Sequence, residues 1–186
     1  MARKTLDRML EDLITAFPNN NTKFITPAGI RAYFDDLIKA LRPSYAWLSR
    51  TTGAAQAVTV APVPLTFAAA EISFAQGEYT ASQAIGRITR LDAGVCQFNF
   101  TADISSPSNS TRVLTFTLYK NGVATPFRQS QSFSVSGEVL SVSFGAIQSS
   151  SIAANYDMYV HSTVNETFTF SEMVFLTQTI PANSPV

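Results

Sequence analysis

Apolar positions repeat with two different periods along the chain. In the leading stretch Leu6, Met9, Leu10, Leu13, Ile14 and Phe17 fall at i, i+3, i+4, i+7, i+8 and i+11. That spacing makes one stripe on a helix. Pro18 and the asparagines Asn19, Asn20 and Asn21 end it. A second helix is predicted from Thr26-Pro27, because a Thr hydroxyl accepts from an unpaired amide of the first turn and Pro suits the first helical position. Ile30, Phe34, Leu37, Ile38 and Leu41 repeat the stripe, and Arg42-Pro43 closes it. Residues 1–42 therefore read as a helical hairpin. So small a unit is marginal by itself and needs a surface to cover its apolar faces. It is either a cap on the rest of the chain or an oligomerisation and docking module. The second is our working expectation, with Leu6, Leu10, Leu13, Phe17, Ile30, Arg31, Phe34, Leu37 and Ile38 as its docking residues.

Residues 43–64 mix Pro, Gly and small residues without helical period, and read as a linker merging into a first edge strand. From residue 65 the period is two. In "VCQFNFTADI" Cys96, Phe98, Phe100, Ala102 and Ile104 alternate with Gln97, Asn99, Thr101 and Asp103. In "RVLTFTLY" Leu114, Phe116 and Leu118 share a face. Asn121-Gly122 and Gly137 mark tight turns, and "SSPSNS" a loop. Turns about every ten residues with Ser and Thr on the wet face predict an antiparallel sandwich over 65–186. Val113, Tyr119, Val139, Tyr159 and Phe175 fall on the alternates of the core positions. A sheet with one wet face shows polar alternates there. Copies of the chain sheltering one another explain the pattern, with Tyr119, Tyr156, Tyr159 and Phe175 as the expected interface.

Two stretches resemble known families. "NNNTKFITPAGIRAYFDDLI", residues 19–38, is similar to a short segment near the N-termini of tailed-bacteriophage virion proteins, such as head fibres, tail fibres and decoration proteins. "GRITRLDAGVCQFNFTADI" followed by "LTFTLYKNG" resembles the jelly roll of the tumour necrosis factor and complement globular-head superfamily, whose last strand is apolar, as "SEMVFLTQTI" is here. Cys96 stands where that family often has an aromatic residue. The second resemblance implies a homotrimer. The expected fold is thus mainly β with an α-helical N-terminal hairpin, its β part a trimeric antiparallel jelly-roll sandwich.

Composition agrees with subunits covering one another. Charged residues make up 14% of the chain, below the ~25% usual for soluble domains. Net charge is zero, so no field recruits nucleic acid or an anionic membrane. The first fifty residues hold eight Lys/Arg and five Asp/Glu, too slight an excess for a basic arm. No apolar run approaches the ~20 residues that span a bilayer, and the start lacks a signal-like apolar region. We therefore expect synthesis in a cytoplasm and no membrane insertion; the first resemblance implies that the cytoplasm is a bacterial host's and that the protein resides in the virion. Four Asn-x-Ser/Thr sequons, at Asn20, Asn99, Asn109 and Asn165, follow from a composition rich in these residues.

The single cysteine, Cys96, rules out an internal disulfide and a cysteine zinc site, and its apolar alternating context predicts a buried thiol. His161 is the only histidine. Neither a Gly-x-Ser-x-Gly elbow nor a Gly-rich phosphate loop occurs. Glu11-Asp12 and Asp35-Asp36 are adjacent on helical stretches, where neighbours point about 100° apart, unsuited to paired carboxylate catalysis. Asp92, Asp103 and Asp157 lack the spacing of a calcium loop. No enzyme, cofactor or metal is expected. The expected partners are a second and third copy of the chain, other virion proteins of capsid or tail, and a host-surface glycan. The two resemblances imply a capsid decoration or head-fibre protein; a short tail or baseplate fibre whose jelly roll binds a host receptor is the alternative.

Overall fold

The computed structural model describes residues 44–67 and 72–180, together with the single position Phe34. Twelve strands make two six-stranded sheets in which every pairing is antiparallel. Sheet one runs β10 (Val139–Ser150), β7 (Gly94–Ser105), β12 (Glu166–Ile180), β1 (Tyr45–Arg50), β4 (Ile72–Gln76), with β2 (Ala54–Val58) also on β12. Sheet two runs β5 (Tyr79–Ser82), β6 (Arg87–Arg90), β11 (Ala154–Ser162), β8 (Arg112–Lys120), β9 (Val123–Phe133), with β3 (Val63–Pro64) also on β11. The chain passes repeatedly from one sheet to the other, as in a jelly roll, and stays within a sheet only at β1–β2, β5–β6 and β8–β9.

The alternation explains the core. Cys96, Phe98, Phe100, Ala102 and Ile104 of β7 all point inward and are buried, as are Leu114, Phe116 and Leu118 of β8. Phe98 lies against Tyr156 at 4.5 Å between ring centres, and Phe100 against Phe116 at 5.4 Å, so rings from the two sheets interlock. The β8–β9 hairpin turns on Asn121 and Gly122, both left-handed at φ 51° and 77°. Only a two-residue turn with that twist lets the strands stay paired.

The expected mixed fold needs correcting. Among the described residues there is no helical element, and the protein they form is all-β. The two sheets bury each other's inner faces, so the sandwich is complete without a helical cap. The predicted hairpin over 1–42 lies outside the described residues except Phe34, which is helical and exposed. The stretch 43–64 is also more than a linker, because it holds β1, β2 and β3. β1 and β2 take successive halves of the same long neighbour: β1 pairs with Met173–Gln178 and β2 with Glu166–Phe170 of β12.

Both ends of the described domain meet at one pole, here called the base. The amide of Thr179 donates to the carbonyl of Ser44 at 2.9 Å, and the amide of Glu78 to the Ser44 hydroxyl at 2.8 Å. The loops after β6, β8 and β10 reach the same pole, since Ser150 pairs with Gly94 and Asn121 exchanges hydrogen bonds with Asn155. These loops expose Leu91, Val123 and Ile152. At the opposite pole, the tip, "SSPSNS" is fastened to the β9–β10 turn. The amide of Gly137 donates to Ser106, that of Ser136 to the Asn109 side chain at 2.7 Å, and the Ser136 hydroxyl to Pro107.

Candidate functional site: two unlike outer faces

The outer face of sheet one is apolar and aromatic where β4, β1 and β12 meet. Register sets Phe74, Trp47 and Leu176 in one row and Tyr45 beside them. The three rings stack: Trp47 on Phe74 at 5.1 Å, Tyr45 on Phe74 at 5.5 Å, Tyr45 on Trp47 at 5.7 Å. Phe74 and Val174 are each 40% exposed, and Tyr45, Trp47 and Leu176 are partly so. Inward positions of β1 are taken by Ala46, Leu48 and Arg50, all buried. The aromatics of β1 therefore face away from the chain's own core.

The outer face of sheet two is polar. Thr115, Thr117, Asn155 and His161 are partly exposed there, and the Thr115 and Ser130 hydroxyls meet at 2.8 Å. Two tyrosines stand out against it. Tyr119 and Tyr159 stack with centres 4.0 Å apart and planes 25° from parallel, both partly exposed. Beside them Arg87 grips Asp157 with two bonds of 2.8 and 3.1 Å. Asp157 is buried, so this pair is a fixed, neutral floor. The Asp157 carboxylate raises the pKa of the Arg87 guanidinium.

The four expected interface residues thus separate. Tyr119 and Tyr159 are together on the polar face. Tyr156 and Phe175 are fully buried in the core of one chain, Phe175 against Phe98 at 5.7 Å. Burial pushes the Tyr156 phenol well above its ordinary range. Of the expected docking residues, Leu6, Leu10, Leu13, Phe17, Ile30, Arg31, Leu37 and Ile38 lie outside the described residues, and Phe34 is exposed. The stack of Tyr45, Trp47 and Phe74 was hidden from the linear reading, because Phe74 comes from a different strand, 27 residues beyond Trp47.

Nearer the base, Arg90 is buried with Glu78 at 3.2 Å and also donates to the carbonyl of Ala93. Its guanidinium lies 5.8 Å from the Tyr79 ring centre. This pair ties β6 to the β4–β5 turn. Cys96 is buried beneath, and burial pushes its thiol up. Among the described residues no group of three or more His, Cys, Asp or Glu is placed to hold a metal.

No protein-family profile matches the chain, and no curated protein sequence matches it. Solved structures do. Mouse APRIL superposes with a TM-score of 0.50 at 9% identity, over 75% of this chain and all of that one. Eiger TNF from S. frugiperda gives 0.49 at 12% identity, over 78% of this chain and 98% of that one. Likeness at such identity is a likeness of fold, and the fold is a TNF-like jelly roll.

Proposed function

We propose that this chain is a non-enzymatic structural protein of a tailed-bacteriophage virion, a homotrimeric capsid-decoration or head-fibre protein. Its leading segment holds the particle and its jelly roll is displayed. The observation that carries the assembly is the outward stack of Tyr45, Trp47 and Phe74 beside Leu176 and Val174. A lone chain would leave that apolar surface in water, and three copies cover it on one another. The virion assignment comes from residues 19–38 and their similarity to N-terminal segments of virion proteins. The base supports a tether, since the chain comes in there at Ser44 after 43 preceding residues. Three weak tethers on one trimer bind far more tightly than one. The capsid or another virion protein is the partner, with Leu6, Leu10, Leu13, Phe17, Ile30, Arg31, Phe34, Leu37 and Ile38 as its contacts.

A short tail or baseplate fibre that binds a host-surface glycan is the second reading, favoured by the Tyr119–Tyr159 stack on a polar face. Deleting residues 1–42 tests the first reading. The shortened protein should remain a trimer by native mass spectrometry and lose attachment to particles. Attachment that survives the deletion contradicts the tether.

A further inference from the structure

We infer that the outer face of sheet two binds a saccharide bearing a carboxylate, its ring on the Tyr119–Tyr159 stack and its charge on Arg128. This deepens the second reading and rests on the first only in that sheet one, not sheet two, is the covered face.

The first support is the stack itself. Two stacked phenols 4.0 Å apart cover each other's facing planes and, both partly exposed, offer their remaining apolar surface amid hydroxyls and amides. Thr117 and Thr115 lie beside them on β8, Ser130 on β9, and Thr89 is bonded to Asn155 at 2.8 Å. A sugar ring has the same make-up, with a C–H face for an aromatic plane and a hydroxyl rim for polar neighbours. A protein partner needs a continuous apolar core, and the hydroxyls around the stack break it up.

The second support is the charge pattern. Arg87 is fully engaged by buried Asp157 and carries no free charge to the surface. Arg128 differs. It is exposed, and among the described residues it makes no ion pair. Register puts it in the row Tyr159, Thr117, Arg128 across β11, β8 and β9. Neighbouring strands are about 4.8 Å apart, so the Arg128 backbone lies about 10 Å from that of Tyr159, and an arginine side chain spans much of that gap. A guanidinium there meets a planar carboxylate with two parallel bonds. Among the described residues of this row Arg128 is a lone cation, too little for a phosphate backbone, which needs several.

The third support is rigidity. Tyr159 lies between β3 and β8 by register, with Pro64 opposite it on one side and Thr117 on the other. The bidentate Arg87–Asp157 pair fixes the adjoining row. Little ordering remains to be done on binding.

The experiment uses the full chain on an array of acidic and neutral bacterial-type oligosaccharides, followed by calorimetric titration with hexagalacturonate and with maltohexaose. Acidic oligosaccharides should be retained, and neutral ones should bind at least about tenfold more weakly. Tyr159→Ala and Arg128→Gln should each weaken acidic binding about tenfold or more, the change one stacking or charge-assisted contact carries. Tyr159→Phe should keep most of it, which separates stacking from misfolding. Retention of no acidic oligosaccharide overturns the inference, as does binding that neither variant alters. Sedimentation of the same samples keeps the two readings apart. A trimer that binds no saccharide ends this inference alone, and a monomer that binds one ends the assembly reading alone.

Discussion

Replacing Phe74 by serine should dissolve the proposed trimer while the weakened subunit still folds. Phe74 is on edge strand β4, 40% exposed, its ring against Trp47 and Tyr45. A phenylalanine offers roughly 200 Å². About 80 Å² per subunit therefore faces outward, worth about 2 kcal/mol when covered at ~25 cal/mol per Å². A closed trimer repeats the contact three times, so the substitution removes about 6 kcal/mol, or about four powers of ten in the overall dissociation constant. Inside one subunit the loss is the part of the ring already covered, about 120 Å² or about 3 kcal/mol at the same coefficient, together with about 1 kcal/mol of ring stacking. Sedimentation velocity across nanomolar to micromolar dilutions reads the first number, and urea unfolding of the dissociated variant reads the second. A variant that stays trimeric over the same range refutes the placement of the interface. An unmodified protein that sediments as a single chain at micromolar concentration refutes the interface itself.

Arg87→Ala should cost about 2 kcal/mol in urea unfolding, because it strands the carboxylate of Asp157, only 3% exposed, while Arg87 itself is 36% exposed; a loss below about 0.5 kcal/mol would show the pair to be ornamental. Gly86→Ala should lower the melting temperature far more than Gly122→Ala. Both glycines are left-handed, which costs an alanine about 1–2 kcal/mol, but a Cβ at Gly86 would collide with the Leu65 carbonyl oxygen whereas Gly122 opens to space; equal melting shifts would contradict the packing of β3 against the β5–β6 turn. Stability should fall above about pH 9. Burial raises Cys96 from 9.0 and Tyr79 and Tyr156 from 10.0, so the folded chain keeps protons that the unfolded chain releases, and rising pH favours unfolding. Urea midpoints at pH 7 and about pH 10.5, with tyrosinate absorbance at 295 nm, check this; a midpoint unchanged between the two would count against it.

What the linear pattern revealed and what it hid have a common cause. β7 and β8 were legible because apolar residues recur at every second position along each, Phe98 to Ile104 and Leu114 to Leu118, with no extra residue to disturb the count. β12 begins the same way, with Phe168 and Phe170 inward. Then Ser171 is left out of the pairing, since Phe170 faces Ile104 and Glu172 faces Asp103. That one extra residue flips the parity, so Met173, Phe175 and Thr177 point inward instead of their neighbours. Period-two counting therefore sets Phe175 on the wrong face, and puts Leu176 in the core instead of in the outward row with Trp47. β1 misleads differently. Its aromatics face out while Ala46 and buried Arg50 face in. Arg50 is held there by the carbonyls of Thr52 and Thr66, a contact invisible in sequence. Tyr156 shares its parity with Met158 and Val160 and so belongs to the core by the same rule that revealed β8. The tyrosine stack is a diagonal meeting across β8 and β11, and depends on a register that only the fold supplies.

The scarcity of charge has a second cause beside the proposed subunit contact. Arg87–Asp157 and Arg112–Glu166 each join two strands, Arg90–Glu78 joins β6 to the β4–β5 turn, and their side chains are no more than 36% exposed. Charge is spent stitching the sandwich, so hydroxyls and amides are left to meet solvent on sheet two. That division fits a display protein. If sheet one closes on its copies and the base faces the particle, then the polar face with its tyrosine pair and the tip with its pinned Pro107–Asn109 loop are the surfaces turned outward. Both are already ordered, by the bidentate ion pair in one case and by the loop-to-turn hydrogen bonds in the other. A surface ordered before it meets a partner loses less entropy on binding, and a trimer presents it three times, so weak contacts suffice.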